Sequence, residues 1–170
     1  MTAHMMLGQW DEADRISQLM NQMPPQDAAA GRARALLAQA VLCIHTKQEA
    51  KPYFDRFMIE TEDARRYSLF RYYELMADYY FFRLYYTMQN KQYKQASEIT
   101  AKLADVVNSL TEESPIRGVY MQIQFLNKCG DLAYFTHHYQ KALDIYESTI
   151  SLFYEYHANS KVQCYTYMYD

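Results

Sequence analysis

Apolar and small side chains recur every three or four positions in the last third of the chain, between Gly130 and Phe153. The members of this series are Tyr139, Ala142, Leu143, Tyr146, Thr149, Ile150 and Phe153. Because residues three and four apart lie on one face of an α-helix, the series predicts a helix that packs through this face. Gly130 precedes the series and predicts a close approach between two helices, since glycine has no side chain to hold them apart.

A small residue near the start of each such series marks an internal repeat. Ala50, Ala96 and Ala142 stand 46 positions apart, and Ala13 stands 37 positions before the first of them. The residues three positions before these markers are Trp10, Lys47, Tyr93 and Tyr139. A long period of this kind is typical of stacked pairs of helices. The sequence predicts one domain over residues 1–170, with repeats at 1–25 (partial), 26–60, 61–110 and 111–158, and a further helix from 159 to 170.

Prolines and potential capping residues predict where the early helices begin and end. Pro24-Pro25 ends the first partial repeat, because neither residue can donate a hydrogen bond to a continuing helix. Asp27 is the expected N-cap of the next helix. That helix is predicted to reach Ile44, to turn at His45-Thr46 and to return over residues 47–60.

Similar signals predict the later boundaries. The first helix of the third repeat begins at either Thr61 or Ser68, both of which are suitable N-caps. Ser114-Pro115 combines an N-cap with a proline at the first helical position and predicts the start of the fourth repeat. The second helices of these two repeats are expected over residues 93–109 and 139–157.

Residues 160–170 are interpreted as the opening of another repeat or, alternatively, as a short capping helix. We favour the first interpretation, because terminal repeats are normally polar on the outside and the sequence CYTYMY is rich in aromatic residues. On that interpretation the chain is a segment of a longer array, which begins and ends in mid-repeat.

Composition agrees with a packed all-α chain. Half of the residues are hydrophobic and 16% are aromatic, which excludes a disordered protein. The chain contains only four Gly and four Pro, which favours helices over a turn-rich β fold. Its 17 basic and 20 acidic residues give a net charge of −3 without a basic run, so no nucleic-acid partner is expected.

Three features bear on the compartment. Cys43, Cys129 and Cys164 are odd in number and form no CxxC motif, which predicts free thiols in a reducing, cytoplasmic environment. The first ten residues lack the regions of a secretory signal peptide. The apolar stretch Leu69–Met88 contains four charged residues, each of which would cost about 2.5–3.5 kcal/mol at the centre of a membrane. It is therefore predicted to be a buried helix and not a membrane span.

No motif in the chain predicts catalysis, a cofactor or a metal ion. Phosphate-binding glycine loops, GxSxG and HExxH are absent from the sequence. His137-His138 invites a metal interpretation, but neighbouring side chains on a helix or turn point in different directions, and no Cys or carboxylate has ligand spacing with them. A solvated turn between helices is the favoured interpretation, and no enzyme is expected.

The repeating small residue, the aromatic residue three positions before it and Pro25 at a repeat end resemble the tetratricopeptide repeat (TPR) superfamily. The resemblance implies a right-handed α-α superhelix, a solenoid of antiparallel helix pairs. The 46-residue period exceeds the usual 34. Phe57, Leu103 and Thr149 stand where that family usually has a small residue. Long, irregular repeats of this kind resemble those of bacterial signalling proteins.

The resemblance implies a module that binds a peptide or partner protein in a concave groove lined by the first helices. Aromatic side chains would anchor the partner, and polar ones would contact its backbone. The candidate groove residues are Asp78, Phe81, Tyr85, Met88, Gln89, Gln124, Asn127, Asp131, Tyr134 and Phe135. An alternative interpretation assigns Phe81 and Tyr85 to the core between repeats. A clamp for a partner's terminal carboxylate is not expected, because Asn and Asp occupy the places where such a clamp has Lys and Arg.

The alternative function is a sensor or regulatory segment of a larger bacterial signalling protein, either a histidine kinase or a transcriptional regulator. In that role the array transmits a signal or pairs two copies of the chain as a homodimer. A periplasmic location would apply if the parent protein were a membrane-anchored sensor.

Overall fold

The computed structural model describes residues 11, 15, 18 and 25–169. Residues 25–169 contain helices and short turns and no strand, which confirms the all-α class. The six helices are α1 (Pro25–His45), α2 (Lys51–Tyr67), α3 (Leu69–Gln89), α4 (Tyr93–Glu113), α5 (Pro115–Phe135) and α6 (Tyr139–Tyr169). Apart from residues 11, 15, 18 and 25, the predicted first partial repeat, including Trp10 and Ala13, lies outside the described residues. None of the described helices is both long and apolar enough to cross a membrane.

Contacts divide the chain into two compact units, Met1–Met76 and Ala77–Asp170. The division falls within α3, so this helix contributes its first turns to one unit and its remaining turns to the other. The expectation of one continuous repeat domain stays a prediction.

The first unit is held together by apolar packing between α1 and α2. Ala33, Ala35, Leu36 and Ala40 of α1 have no exposed surface, and neither has Phe57 of α2. The small side chains of α1 let the two helices approach closely. Buried residues of α2 recur at intervals of four and three, as expected for one face of a helix: Phe57, Thr61 and Ala64.

Three partly buried ion pairs add polar contacts to this unit. The Arg32 guanidinium donates from Nε and Nη2 to Oε2 of Glu60 on α2, at 2.9 and 2.6 Å. Glu74 of α3 accepts from Arg34 at 3.0 Å and from Arg71 at 2.9 Å. Hydrogen bonding to Glu60 raises the pKa of Arg32, which keeps that guanidinium charged.

In the second unit, α4 buries one face. Its buried residues are Ala96, Ile99, Leu103, Val107 and Leu110. Of the series predicted on α6, Ala142 and Thr149 are buried, whereas Leu143, Ile150 and Phe153 are about half exposed. The predicted face is therefore only partly covered.

Helix α5 packs against both α4 and α6 and has a glycine at each contact. A Cβ atom placed on Gly118 would overlap the backbone of Thr111 in α4. One placed on Gly130 would lie 2.5 Å from Cε1 of the Tyr146 ring in α6. The close approach predicted at Gly130 is confirmed, and Tyr146 is the group that requires it. Gly118 has the same role at the other end of the helix.

The three turns between α1 and α2, α3 and α4, and α5 and α6 share one geometry. Lys47, Lys91 and His137 have positive φ angles of 58°, 59° and 66°. In each turn the amide of this residue donates to the carbonyl three positions earlier, and the next amide donates to the carbonyl five positions earlier. This pattern is the Schellman motif, which usually has glycine at the left-handed position. The turns recur although their sequences differ.

Several predicted helix boundaries are wrong. Helix α1 begins at Pro25, so Asp27 lies inside it and is not its N-cap. The return helix spans Lys51–Tyr67 and not residues 47–60. Of the two predicted starts for α3, Thr61 lies buried inside α2. Ser68 is confirmed, because its Oγ accepts a hydrogen bond from the Arg71 amide at 3.2 Å.

Two further corrections concern the repeat register and the end of the chain. Ala96 and Ala142 are buried three residues after their helices begin, whereas Ala50 precedes α2 as its N-cap residue. Three residues separate Lys47 from the start of α2, whereas one residue separates Lys91 from α4 and one separates His137 from α6. Ala50 is therefore not structurally equivalent to Ala96, although the two stand 46 positions apart. Helix α6 continues unbroken from Tyr139 to Tyr169, so residues 160–169 do not form a separate helix.

Candidate functional site

An open cavity in the second unit brings together half of the predicted groove residues. Its volume is about 410 Å³. The predicted residues that line it are Tyr85, Met88, Gln89, Asp131 and Phe135, and the others are Lys91, Tyr93 and Lys128. The predicted groove residues belong to α3 and α5, the first helices of two successive predicted repeats, and residues of both helices line the cavity.

The helical spacing explains why these side chains converge. Tyr85, Met88 and Gln89 are three or four residues apart near the end of α3, so they share one face. Asp131 and Phe135 are four residues apart at the end of α5. The turn after α3 adds Lys91, and α4 adds its first residue. The cavity therefore lies where two helices end and a third begins.

The side chains differ in how far they are open to solvent. Tyr85 is 50% exposed and Phe135 is 46% exposed, whereas Met88 is only 8% exposed. Methionine thus contributes to the floor of the cavity and the two aromatic rings remain accessible. Exposed aromatic rings next to a concave surface are typical of places where another molecule packs.

The remaining five predicted groove residues are not among those that line this cavity. Asp78, Phe81 and Gln124 are half-buried, and Asn127 and Tyr134 are exposed. The Tyr134 ring packs edge-on against Phe135 and Tyr139, with centroid distances of 5.7 and 5.6 Å. Through Phe135, these exposed rings continue the apolar surface of the cavity towards the turn between α5 and α6.

The carboxylate of Asp131 is bound on both of its oxygens. Lys128 donates to Oδ2 at 2.8 Å, and the Tyr146 hydroxyl donates to Oδ1 at 2.8 Å. Burial, with a smaller contribution from the hydrogen bond to Asp131, raises the pKa of Tyr146 to about 12. Tyr146 therefore stays a neutral donor at physiological pH. Asp131 holds Lys128 and α6 in place as well as lining the cavity.

Sequence analysis missed Lys91, Tyr93 and Lys128. Lys128 precedes Asp131 by three residues, so a test for pairs on the same helix face would have found it. Lys91 lies in a turn, where the 3.6-residue period gives no information. A cationic clamp was not expected, because Asn and Asp occupy its usual places. Two lysines, Lys91 and Lys128, nevertheless line this cavity.

The adjacent histidines lie in the turn that follows α5. Both are exposed: Nδ1 of His137 lies 2.8 Å from the Tyr139 hydroxyl, and Nδ1 of His138 lies 3.1 Å from the Thr136 hydroxyl. Their contacts are thus local to the turn. Across the part of the chain that the structure describes, no three His, Cys, Asp or Glu side chains are grouped as metal ligands.

A second cavity, of about 690 Å³, lies in the first unit and was not predicted from the sequence. Its lining is mostly polar and comprises Asp11, Gln18, Gln39, Leu42, Cys43, His45, Thr46, Gln48 and Tyr53. Cys43 is buried, and its Sγ lies 4.0 Å from Oε1 of Gln48. Among the described residues that line this cavity, Tyr53 is the only Phe, Tyr or Trp.

Comparison of the chain with protein-family models, with curated proteins and with solved structures finds no match.

Proposed function

We propose that this chain is a protein–protein interaction module, a TPR-like solenoid whose second unit binds a peptide segment of a partner. The observation that carries the proposal is the convergence of Tyr85, Met88 and Gln89 with Asp131 and Phe135 around one cavity. These residues occupy equivalent places in successive predicted repeats. A partner-binding groove requires such residues to share a surface.

The chemistry of the cavity supports this function. Two exposed aromatic rings offer rigid apolar area, and Gln89 offers an amide that can both donate to and accept from a peptide backbone. Ligand pockets commonly enclose roughly 300–1,000 Å³, so a volume of about 410 Å³ suits one or two side chains of a partner.

The proposal includes a reducing, cytoplasmic location. Cys129 is a free thiol in the described part of the chain. Persistent free thiols are typical of reducing compartments.

The experiment is a quantitative pull-down from a lysate of the source organism. Native protein is compared with Tyr85→Ala and Phe135→Ala, and Tyr67→Ala serves as the matched control. Tyr67 is 70% exposed at the end of α2 in the first unit, so its loss removes an equally accessible ring elsewhere. We expect a partner that the native protein and Tyr67→Ala retain and that both cavity variants lose.

Circular dichroism and thermal unfolding of each variant complete this test. If Tyr85→Ala or Phe135→Ala lost helicity, the ring would belong to the core and the groove assignment would be wrong. Equal retention of every partner by all folded variants would also contradict the proposal.

A second candidate function is the pairing of two copies within a larger signalling protein. The observation that favours it is an exposed apolar strip on α6. Its members, each at least 48% exposed, are Tyr139, Leu143, Ile150, Phe153 and Tyr154. Tyr139, Leu143, Ile150 and Phe153 follow one another at intervals of four, seven and three residues, so they lie along one side of the helix, and Tyr154 is adjacent to Phe153.

A further inference from the structure

We infer that the cavity in the second unit selects a partner segment in which an acidic side chain stands next to an aromatic or aliphatic anchor. This inference rests on the proposed function and adds the chemistry of the partner. The apolar anchor would pack against Tyr85, Phe135 and Met88, and its acidic neighbour would pair with Lys91.

The first step of the argument is the charge of the cavity. Its lining contains two lysines and one aspartate, a net charge of +1 in a chain of net charge −3. The first turn of α4, which begins at this cavity, contains no acidic residue that would offset this charge. A local positive charge in an acidic protein favours a negatively charged ligand at this place.

The second step separates the two lysines. Lys128 already pairs with Asp131 at 2.8 Å, and the other oxygen of that carboxylate accepts from Tyr146. The single negative charge of the lining is therefore balanced internally. Within the described residues, the exposed ammonium of Lys91 has no ion-pair partner. Lys91 is thus the cation that remains available to a ligand.

The third step concerns the position of Lys91. Its backbone is held at the left-handed position of the turn by two hydrogen bonds, Lys91 N to Met88 O at 3.0 Å and Gln92 N to Thr87 O at 2.9 Å. The origin of the lysine side chain is therefore fixed beside the cavity, and only its own rotamers need ordering on binding. A fixed origin lowers the entropic cost of pairing with a carboxylate.

The chain provides a matched control for this residue. Lys47 is also an exposed lysine with a left-handed backbone in the equivalent turn, and it has the same pair of hydrogen bonds. It is not among the residues that line either cavity. Substitution of Lys47 therefore reproduces the change in net charge and turn chemistry without changing the proposed site.

The probes are two arrayed series of short synthetic peptides. Every peptide carries one Phe or Leu anchor, and the positions next to the anchor hold Asp in one series and Asn in the other. A third series, with Ala in place of the anchor, measures background. Binding is measured by fluorescence anisotropy for the native protein, Lys91→Gln, Lys91→Gly, Lys47→Gln and Phe135→Ala. Lys91→Gly removes the charge and keeps a residue that suits the turn.

We expect the native protein and Lys47→Gln to bind the best Asp peptides about three- to tenfold more tightly than their Asn counterparts. Both Lys91 variants should lose this preference and retain the weaker binding of the Asn series. Added salt should reduce the preference, because an exposed ion pair is screened.

Two other results would overturn the inference, and they are distinguishable. Equal affinity of the native protein for the Asp and Asn series, with loss of binding in Phe135→Ala, would refute the acidic selectivity and leave the proposed function standing. Binding of neither series above the anchor-free background would refute both.

Discussion

Lys47, Lys91 and His137 each end a helix in a backbone conformation that glycine adopts most easily. For a residue with a Cβ atom this conformation costs roughly 1–2 kcal/mol relative to the right-handed region. The recurrence of the same hydrogen bonds at all three places shows that the geometry of the turn is set by the helices on either side. Each side chain therefore occupies a place where glycine would give a more stable protein.

Replacement of Lys47 by glycine should stabilise the protein by about 1 kcal/mol, because the strain of the left-handed conformation is removed. Urea unfolding followed by circular dichroism measures the change. Lys102→Gly, at an exposed position in the interior of α4, is the control and should destabilise by a similar amount, since glycine there only adds flexibility to the unfolded chain. Destabilisation by Lys47→Gly would contradict this account of the turn.

Cys129 should react slowly with iodoacetamide in the folded protein. Burial raises its pKa to about 11 from an ordinary value of 9.0, and Lys141 opposes only part of this effect. At pH 9 about half of the unfolded thiols are ionised against roughly 1% in the folded state, so alkylation should slow by roughly 50-fold. Mass spectrometry of the peptide that contains Cys129, with and without urea, measures the ratio.

The same shift makes stability depend on pH. Because the pKa is higher in the folded state, the folded protein favours the neutral thiol. The stabilising contribution is complete below pH 9 and is lost as the pH rises towards 11. Equal alkylation rates with and without urea would show that the Cys129 thiol is accessible in the folded protein and that its pKa is not raised there.

At the scale of the elements, α5 depends on its two glycines. In an unobstructed helix Gly130→Ala would stabilise by up to about 1 kcal/mol. Here the added methyl group would overlap the Tyr146 ring, and the hydroxyl of that ring is held by Asp131. We therefore expect Gly130→Ala to destabilise by about 1–3 kcal/mol.

A double-mutant cycle with Tyr146→Ala isolates this contact. Removal of the ring leaves space for the methyl group, so the cost of Gly130→Ala should fall or change sign in that background. Chemical denaturation of the four proteins gives the coupling energy. Additive effects would mean that the two residues do not constrain each other.

The sequence predicted helices well where a strong boundary signal accompanied the period. Pro115 and the turns before Tyr93 and Tyr139 interrupt the pattern of apolar residues, and all three helix starts are confirmed. The break expected after residue 158 is wrong, because α6 continues to Tyr169. No proline or glycine near that position would end a helix. The assignment of Ala50 failed because spacing between small residues cannot detect a change in turn length.

Half of the predicted groove residues line one cavity because helical spacing determines which residues share a face. Residues near the ends of α3 and α5 share faces that helical spacing determines, so Tyr85 and Asp131 could be chosen from the sequence. Lys91 could not be chosen, because its position follows from the geometry of a turn. The hydrogen bond from the Tyr146 hydroxyl to Asp131 could not be predicted either, because it joins residues of two different helices.

At the scale of the whole molecule, the apolar strip on α6 should promote weak self-association. Five side chains that are about half exposed or more offer roughly 500 Å² on each copy, or about 1,000 Å² in a pair. This total is below the 1,200–2,000 Å² typical of stable complexes, so the association should depend on concentration. Sedimentation equilibrium over a range of concentrations measures it.

Ile150→Glu should abolish this association, because it places a charge in the centre of the strip. Ile59→Glu is the matched control, since Ile59 is 65% exposed on α2 in the first unit and Ile150 is 55% exposed. A mass that is independent of concentration in the native protein, or equal association of both variants, would argue against pairing through α6.

Helix α3 has a consequence for how the protein can be divided. It passes through the boundary between the two units without a break, and Leu75 and Leu84, on either side of that boundary, are both fully buried. A truncation at Met76 would leave each fragment with part of a helix, and short isolated helices are marginal in water. The units are therefore not interchangeable modules. Recombination, domain swapping and limited proteolysis should spare this junction and act on the connecting turns.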